Sequence, residues 1–119
     1  MGDFKKLEVW RKAHALALNA HHAAAGLRGN ANLRSQLVRA AMSVPTNIVE
    51  GSRKRSDKEF ARFVRIALGS VTELEYHLIL ARDLGLLSRV QYESLVGQLV
   101  DVRKMLSGLV RRLDASSLA

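Results

Sequence analysis

Cysteine is absent from this chain. That excludes a disulfide framework and any thiolate metal site, and it removes any need for an oxidising compartment. Proline occurs once, and the aromatic residues are one Trp, two Tyr and three Phe. Against abundant Ala, Leu, Val and Arg, so few strand-forming residues favour helix over sheet. A membrane-spanning run is also missing. The longest uncharged stretch, Ala13 to Leu27, holds His14, Asn19, His21 and His22, and it falls short of the roughly 20 apolar residues that a span needs. The opening residues, Met1-Gly2-Asp3-Phe4-Lys5-Lys6, contain no apolar signal core, and Lys6 stands where a myristoylation motif requires Ser or Thr. The expectation is a cytoplasmic protein without a membrane partner.

Carboxylates are scarce as well, with 11 Asp and Glu against 19 Lys and Arg for a formal net charge of +8. Such a balance points to a polyanionic partner, nucleic acid first, though it carries no specificity by itself.

What is present fits one domain over residues 1–119. Four helical stretches are expected, from about Asp3 to Leu27, Leu33 to Glu50, Asp57 to Leu84 and Arg89 to Leu113, followed by a frayed Ala-Ser-Ser-Leu-Ala tail. The Gly26 to Asn32 cluster, Gly51 and Gly85 punctuate them. Ser56-Asp57-Lys58-Glu59 and Ser88-Arg89-Val90-Gln91 read as capping boxes at the starts of the third and fourth helices.

The apolar periodicity is sustained. Phe60, Val64, Ala67, Val71, Leu74, Leu78 and Ala81 form one seam, and Tyr92, Leu95, Leu99, Val102, Leu106, Leu109 and Leu113 form another. Leu37, Ala41, Val44 and Ile48 supply the second helix, and an alanine-rich row from Trp10 to Leu27 supplies the first. Short connections between such helices force antiparallel neighbours, so the fold class is all-α: an up-down-up-down four-helix bundle. Pro45 falls inside the second helix and is expected to kink it, with Ser43, Thr46 and Asn47 at hand for the loosened backbone.

The third helix carries a second, partly polar row of Phe63, Ile66, Ser70, Glu73, His77, Leu80 and Leu84. This row reads either as a subunit interface or as a wide apolar face. The second helix carries a polar row of Gln36, Arg39, Ser43, Asn47 and Glu50. A structural polar network of Arg39, Asn47, Glu50 and Glu73 is expected, since half-buried charges need partners. The competing reading is a ligand pocket lined by the same groups.

Chemistry of the enzymatic kinds finds no foothold. No Glu-x-x-His pair occurs for a di-iron bundle, and no nucleophile elbow or phosphate loop occurs either. The histidines read as helical surface residues. Neither metal nor cofactor is expected, and the chain reads as a non-enzyme. Gly69-Ser70 sits mid-helix, where glycine suits close packing.

The densest cationic cluster is Arg53-Lys54-Arg55, continued by Lys58, Arg62 and Arg65 on one face of the third helix. These residues suit salt-sensitive phosphate contacts that are blind to sequence. Base stacking by aromatic residues is not expected of this cationic cluster. The bland alternative is a solvated face that maintains solubility.

Several stretches resemble a known family. They are Phe4-Lys5-Lys6-Leu7-Glu8-Val9-Trp10-Arg11-Lys12-Ala13, the run from Gln36 to Gly51 with Ser43-Val44-Pro45-Thr46-Asn47-Ile48, Ser56-Asp57-Lys58-Glu59-Phe60 with Phe63, Ile66 to Glu75 with Gly69-Ser70-Val71-Thr72-Glu73-Leu74, and Asp83-Leu84-Gly85. Together they are similar to the bacterial four helix bundle proteins, also called 23S rRNA intervening-sequence proteins. The resemblance implies an antiparallel bundle that assembles as a homopentamer and has no assigned catalysis. It also implies kinship with accessory proteins of diversity-generating retroelements, basic pentamers that bind nucleic acid and a reverse transcriptase. Arg39, Asn47, Glu50, Gly51 and Glu73 match motif positions of the family, where a structural role fits them best. The chain departs from the family pattern between Ala23 and Asn32, which lacks an aromatic and a proline, and in the valine before Glu50.

Two functional readings follow. One is a homo-oligomeric scaffold binding RNA or DNA through Arg53, Lys54, Arg55, Lys58, Arg62 and Arg65. The other is a protein–protein adaptor with no nucleic-acid role.

Overall fold

A computed structural model describes residues 3–118. Among them all regular structure is helical: a 3-10 turn at Phe4–Lys6, then α1 (Glu8–Ala24), α2 (Ala31–Ser52), α3 (Asp57–Asp83) and α4 (Arg89–Leu118). Each helix packs on its neighbours in the chain, and α1 also packs on α4, so the four close into a ring around one core.

Cross-helix pairs give the directions. Ser43 meets Ser70, Arg103 meets Glu75 while Arg65 meets Asp114, and Asn19 meets Gln98. On α3 and α4, rising numbers on one helix meet falling numbers on the other, as antiparallel neighbours require. The four helices form a bundle 50 Å long and about 20 Å across, consistent with the expected up-down-up-down order.

The seams read from the periodicity form the core. Val44, Ile48, Val64, Ala67, Val71, Leu74, Leu78, Leu99 and Leu106 have no exposed surface. Burying each large aliphatic side chain stabilises by about 1.5–3 kcal/mol. On α1 the alanines Ala13, Ala20 and Ala24 are equally buried, so small side chains bring this helix close to the others.

The boundaries follow local chemistry, with three corrections. The first helix does not begin at Asp3. Asp3 accepts from the Lys5 N–H at 3.0 Å and caps the separate 3-10 turn, and extended backbone at Leu7 divides that turn from α1. The helix also stops at Ala24, leaving Leu27 fully buried as a plug in the connection. Most distinctly, the expected frayed tail is helical: α4 continues through Leu118. Its last turns are tied to the start of α3, where the Ser116 hydroxyl bonds the Asp57 carboxylate and Asp114 bonds Arg65.

Both capping serines act as expected. Ser56 Oγ accepts from the Glu59 N–H at 3.1 Å, and Ser88 Oγ accepts from the Gln91 N–H at 3.1 Å. The second box is reciprocal, because Gln91 Oε1 accepts from the Ser88 N–H at 3.0 Å. The first is not, since Glu59 turns to Arg62 instead. At the end of α3, Gly85 takes φ +76°. The Leu86 N–H returns to the Ala81 carbonyl and the Gly85 N–H to the Arg82 carbonyl, both at 2.9 Å, a Schellman closure.

Pro45 does not interrupt α2, which is one helix from Ala31 to Ser52. Thr46 donates to the Met42 carbonyl and Asn47 to the Ser43 carbonyl, both at 2.8 Å. Neither reaches the Ala41 carbonyl, the one that Pro45 leaves without a donor; both bond the two carbonyls that follow it. Among the described residues, no helix is long and apolar enough to cross a membrane.

Candidate nucleic-acid interface

The α2–α3 corner is tight. A Cβ at Gly51 would lie 2.7 Å from Phe60 Cδ1 and 2.9 Å from Phe63 Cβ, so the last turn of α2 rests directly on the first turns of α3. This contact fixes the short connection that holds Arg53, Lys54 and Arg55 beside Lys58, Arg62 and Arg65.

The six cations are not equivalent. Arg62 donates to Glu59 at 2.9 Å and Arg65 pairs with Asp114. The Arg62 hydrogen bond, helped by the charges of Lys54 and Lys58, holds the Glu59 carboxyl below its ordinary pKa, and Glu59 in turn raises that of Arg62. Arg53, Lys54, Arg55 and Lys58 form no ion pair among the described residues. Lys58, Glu59, Arg62, Arg65 and Ile66 line a hollow of about 480 Å³, large enough for a phosphate, with three cations and one carboxylate in its lining.

An aromatic ring does lie among these charges, contrary to the reading of the linear sequence. Lys54 Nζ stands 5.0 Å and the Arg62 guanidinium 4.5 Å from the centre of the Phe63 ring. Phe63 stands between Arg62 and Arg65 in the chain and was overlooked there, whereas the approach of Lys54 to its ring depends on the turn. The ring is half-buried and engaged by both cations, so it positions them rather than offering a free platform for a base.

The expected polar network is joined differently within the chain. Asn47 Nδ2 donates to Ser43 Oγ at 3.0 Å, and Ser43 Oγ lies 2.7 Å from Ser70 Oγ on α3. Arg39, Glu50 and Glu73 make no side-chain hydrogen bond or ion pair among the described residues, and Arg39 and Glu73 are exposed. Two hydroxyls and one amide therefore bridge α2 and α3, at less desolvation cost than a buried ion pair. Nor do these groups share a ligand pocket: Arg39 and Ser43 line a groove between α1 and α2 in which Asn47 and Glu73 have no part.

Among the histidines, His14, His21 and His22 lie at the surface as expected. His77 does not. At the edge of the core seam it is 6% exposed, and its Nδ1 has no hydrogen-bond partner. Gly69 was expected to permit close packing, but a Cβ there would touch nothing within the chain. Among the described residues, no three His, Asp or Glu side chains gather as metal ligands.

The groove between α1 and α2 was invisible to sequence reasoning. One part is lined by Phe4, Trp10, His14, Leu18, Pro45 and Val49, and the other by Ala24, Arg34, Val38 and Arg39, with His21, Met42 and Thr46 common to both. The two parts enclose about 420 and 800 Å³. Trp10 anchors one end, meeting Phe4 edge-on at 4.9 Å and stacking on His14 at 5.0 Å.

Comparison with known proteins gives the fold and the sequence pattern a family. No curated protein matches the chain. A solved structure that does is a protein of unknown function from the S23 ribosomal protein family of Bacteroides thetaiotaomicron. It is 26% identical, with a TM-score of 0.80 over 86% of this chain and 97% of that one. The model of the 23S rRNA-intervening sequence proteins matches residues 5–108. That span takes in the first three helices and about two thirds of α4, with the proline-bearing α2, the basic corner and the Gly69-Ser70 segment, so the chain belongs to the family of 23S rRNA-intervening sequence proteins.

Proposed function

We propose that this protein is a non-enzymatic, homo-oligomeric helical scaffold that binds RNA or DNA through the basic α2–α3 corner. The observation that carries the reading is the grouping of six cations on that corner, four of them without a carboxylate partner among the described residues. Cations held in place without neutralisation suit a phosphate backbone, where binding releases condensed counterions. Phosphate contacts of this kind carry affinity without sequence preference. The copy number of five comes from the family resemblance, as does a reverse transcriptase among the possible protein partners. The cytoplasm is the compartment this reading assumes.

The test is titration of labelled single-stranded RNA and duplex DNA at low and moderate salt. Binding that weakens steeply with salt, and weakens further in the Arg53→Ala/Lys54→Ala/Arg55→Ala variant, supports the reading.

A second reading has its own support. The apolar groove on α1 and α2, with Met42 55% exposed on its floor, suits a protein–protein adaptor. On that reading nucleic acid has no effect at any salt, and association with protein survives high salt because the contact is apolar.

A further inference from the structure

Two apolar surfaces of the bundle lack a partner among the described residues, and they complement each other. The first is the groove between α1 and α2. It follows α2 from Arg34 to Val49, about 22 Å at the helical rise. Leu18 and Met42, 47% and 55% exposed, stand in its path. No Asp or Glu lines it, whereas Arg34 and Arg39 stand at one end.

The second surface is the outer stripe of α3. Ile66, Gly69, Glu73, Tyr76 and Leu84 are exposed at helical spacing, with half-buried Leu80 between the last two. Three of them are large apolar side chains, 42%, 59% and 54% exposed. Scattered single residues of this kind are ordinary, but a continuous stripe of about 27 Å calls for a covering surface. Its one charge is the Glu73 carboxylate. Gly69 is open, so another backbone can approach closely there.

Length, apolar character and sign of charge all match between these surfaces. We infer that the α1–α2 groove of one copy receives the α3 stripe of a second copy, with Glu73 of the stripe against Arg39 and Arg34 of the groove. With Glu73 placed there, either Ile66 or Tyr76 comes level with Met42 and Leu18, whichever way the stripe runs. The two surfaces are different, so each copy gives one and receives one. Such a heterologous contact repeats from copy to copy and closes as a ring when the rotation allows. The inference rests on the homo-oligomeric reading above and adds which surfaces meet.

Arg39 and Glu73 also lie on facing helices of the same chain, near the Ser43–Ser70 contact, so the test has to separate pairing between copies from pairing within one. Light scattering behind size exclusion is measured on the full chain, on Arg39→Glu, on Glu73→Arg, and on a mixture of the two variants, with circular dichroism confirming the helical fold of each. The wild type runs as an oligomer, each variant associates at least tenfold more weakly, and the mixture forms assemblies of higher mass than either variant alone, because every contact between unlike copies is restored on mixing while a ring with an odd number of copies keeps one contact between like copies. A wild-type oligomer whose mass neither variant changes overturns the inference and leaves the homo-oligomeric reading standing. So does dissociation of the variants without recovery on mixing. A wild type that is monomeric at every concentration overturns both. Should either charge reversal fail to fold, the absence of native cysteine supplies a second measurement. Arg39→Cys and Glu73→Cys copies, mixed and oxidised, form a mixed disulfide dimer if the surfaces meet, and form none if they do not.

Discussion

Gly51 and Phe60 are in contact so close that a single methyl group between them has no room: a Cβ on Gly51 would stand 2.7 Å from Phe60 Cδ1. The Phe60 ring is 5% exposed and cannot swing into solvent without opening the core. Phe63 Cβ, fixed to the α3 backbone, blocks the other side at 2.9 Å. The corner that carries the cations is thus set by a glycine that lets two helices touch.

Gly51→Ala is therefore destabilising, although alanine is the better helix former by about 1 kcal/mol. Overpacking costs about 1–3 kcal/mol, and the backbone-fixed neighbour places this site at the upper end. A net loss of about 1–2 kcal/mol is expected in chemical denaturation. A variant as stable as the wild type would show that the corner yields easily.

Ser88→Ala removes the acceptor for the Gln91 N–H and leaves the start of α4 with half of its reciprocal cap. The expected cost is about 1 kcal/mol, as for other serine caps. Gln91→Ala removes the other half and should cost measurably less, since the Ser88 N–H is exposed and water replaces the missing acceptor. Urea unfolding of both variants checks the order.

Glu59 provides a pH-dependent contribution. Its folded-state pKa is depressed, chiefly by the Arg62 hydrogen bond, so the carboxylate binds its proton less readily in the folded chain than in the unfolded one. The stability it contributes is present above its unfolded pKa, near the ordinary value of 4.5, and is lost as pH falls through the lower folded value. The side chain is about half exposed, so the contribution is small and screened by salt. NMR titration should find Glu59 below the ordinary value in the wild type and closer to it in Arg62→Ala. An unchanged titration would remove Arg62 as the cause.

Phe63→Leu keeps apolar volume at the corner and removes the ring beneath Lys54 and Arg62. An exposed cation–π contact contributes about 0.5–1 kcal/mol. With two cations no longer held in order, nucleic-acid binding should weaken roughly two- to fivefold with the fold intact. Affinity equal to wild type would mean that the ring does not position the cations that bind.

Much of this structure was legible in the sequence, for reasons that differ from residue to residue. The seam from Phe60 to Ala81 and the box at Ser88 to Gln91 rest on contacts within one helix or one turn, which spacing alone specifies. Leu27, the helical tail at Ser116 and the ring under Lys54 depend on approaches between separate elements. The same holds for the polar bridge: a row containing Ser43 and Asn47 was visible on α2, but the choice of Ser70 rather than Glu73 as its partner depends on how the two helices are turned toward each other. The groove left no trace in the pattern, because its lining alternates between residues of α1 and residues of α2.

The most direct measurement is fluorescence anisotropy of a labelled single-stranded RNA titrated with the full chain at two salt concentrations, beside the Arg53→Ala/Lys54→Ala/Arg55→Ala variant. The prediction is saturable binding whose affinity falls steeply with salt. The variant should bind more weakly and with a shallower salt slope, because the slope falls by about one unit for every phosphate the protein no longer neutralises. Binding indifferent to salt, or equal in variant and wild type, would contradict a phosphate-binding role for the basic corner.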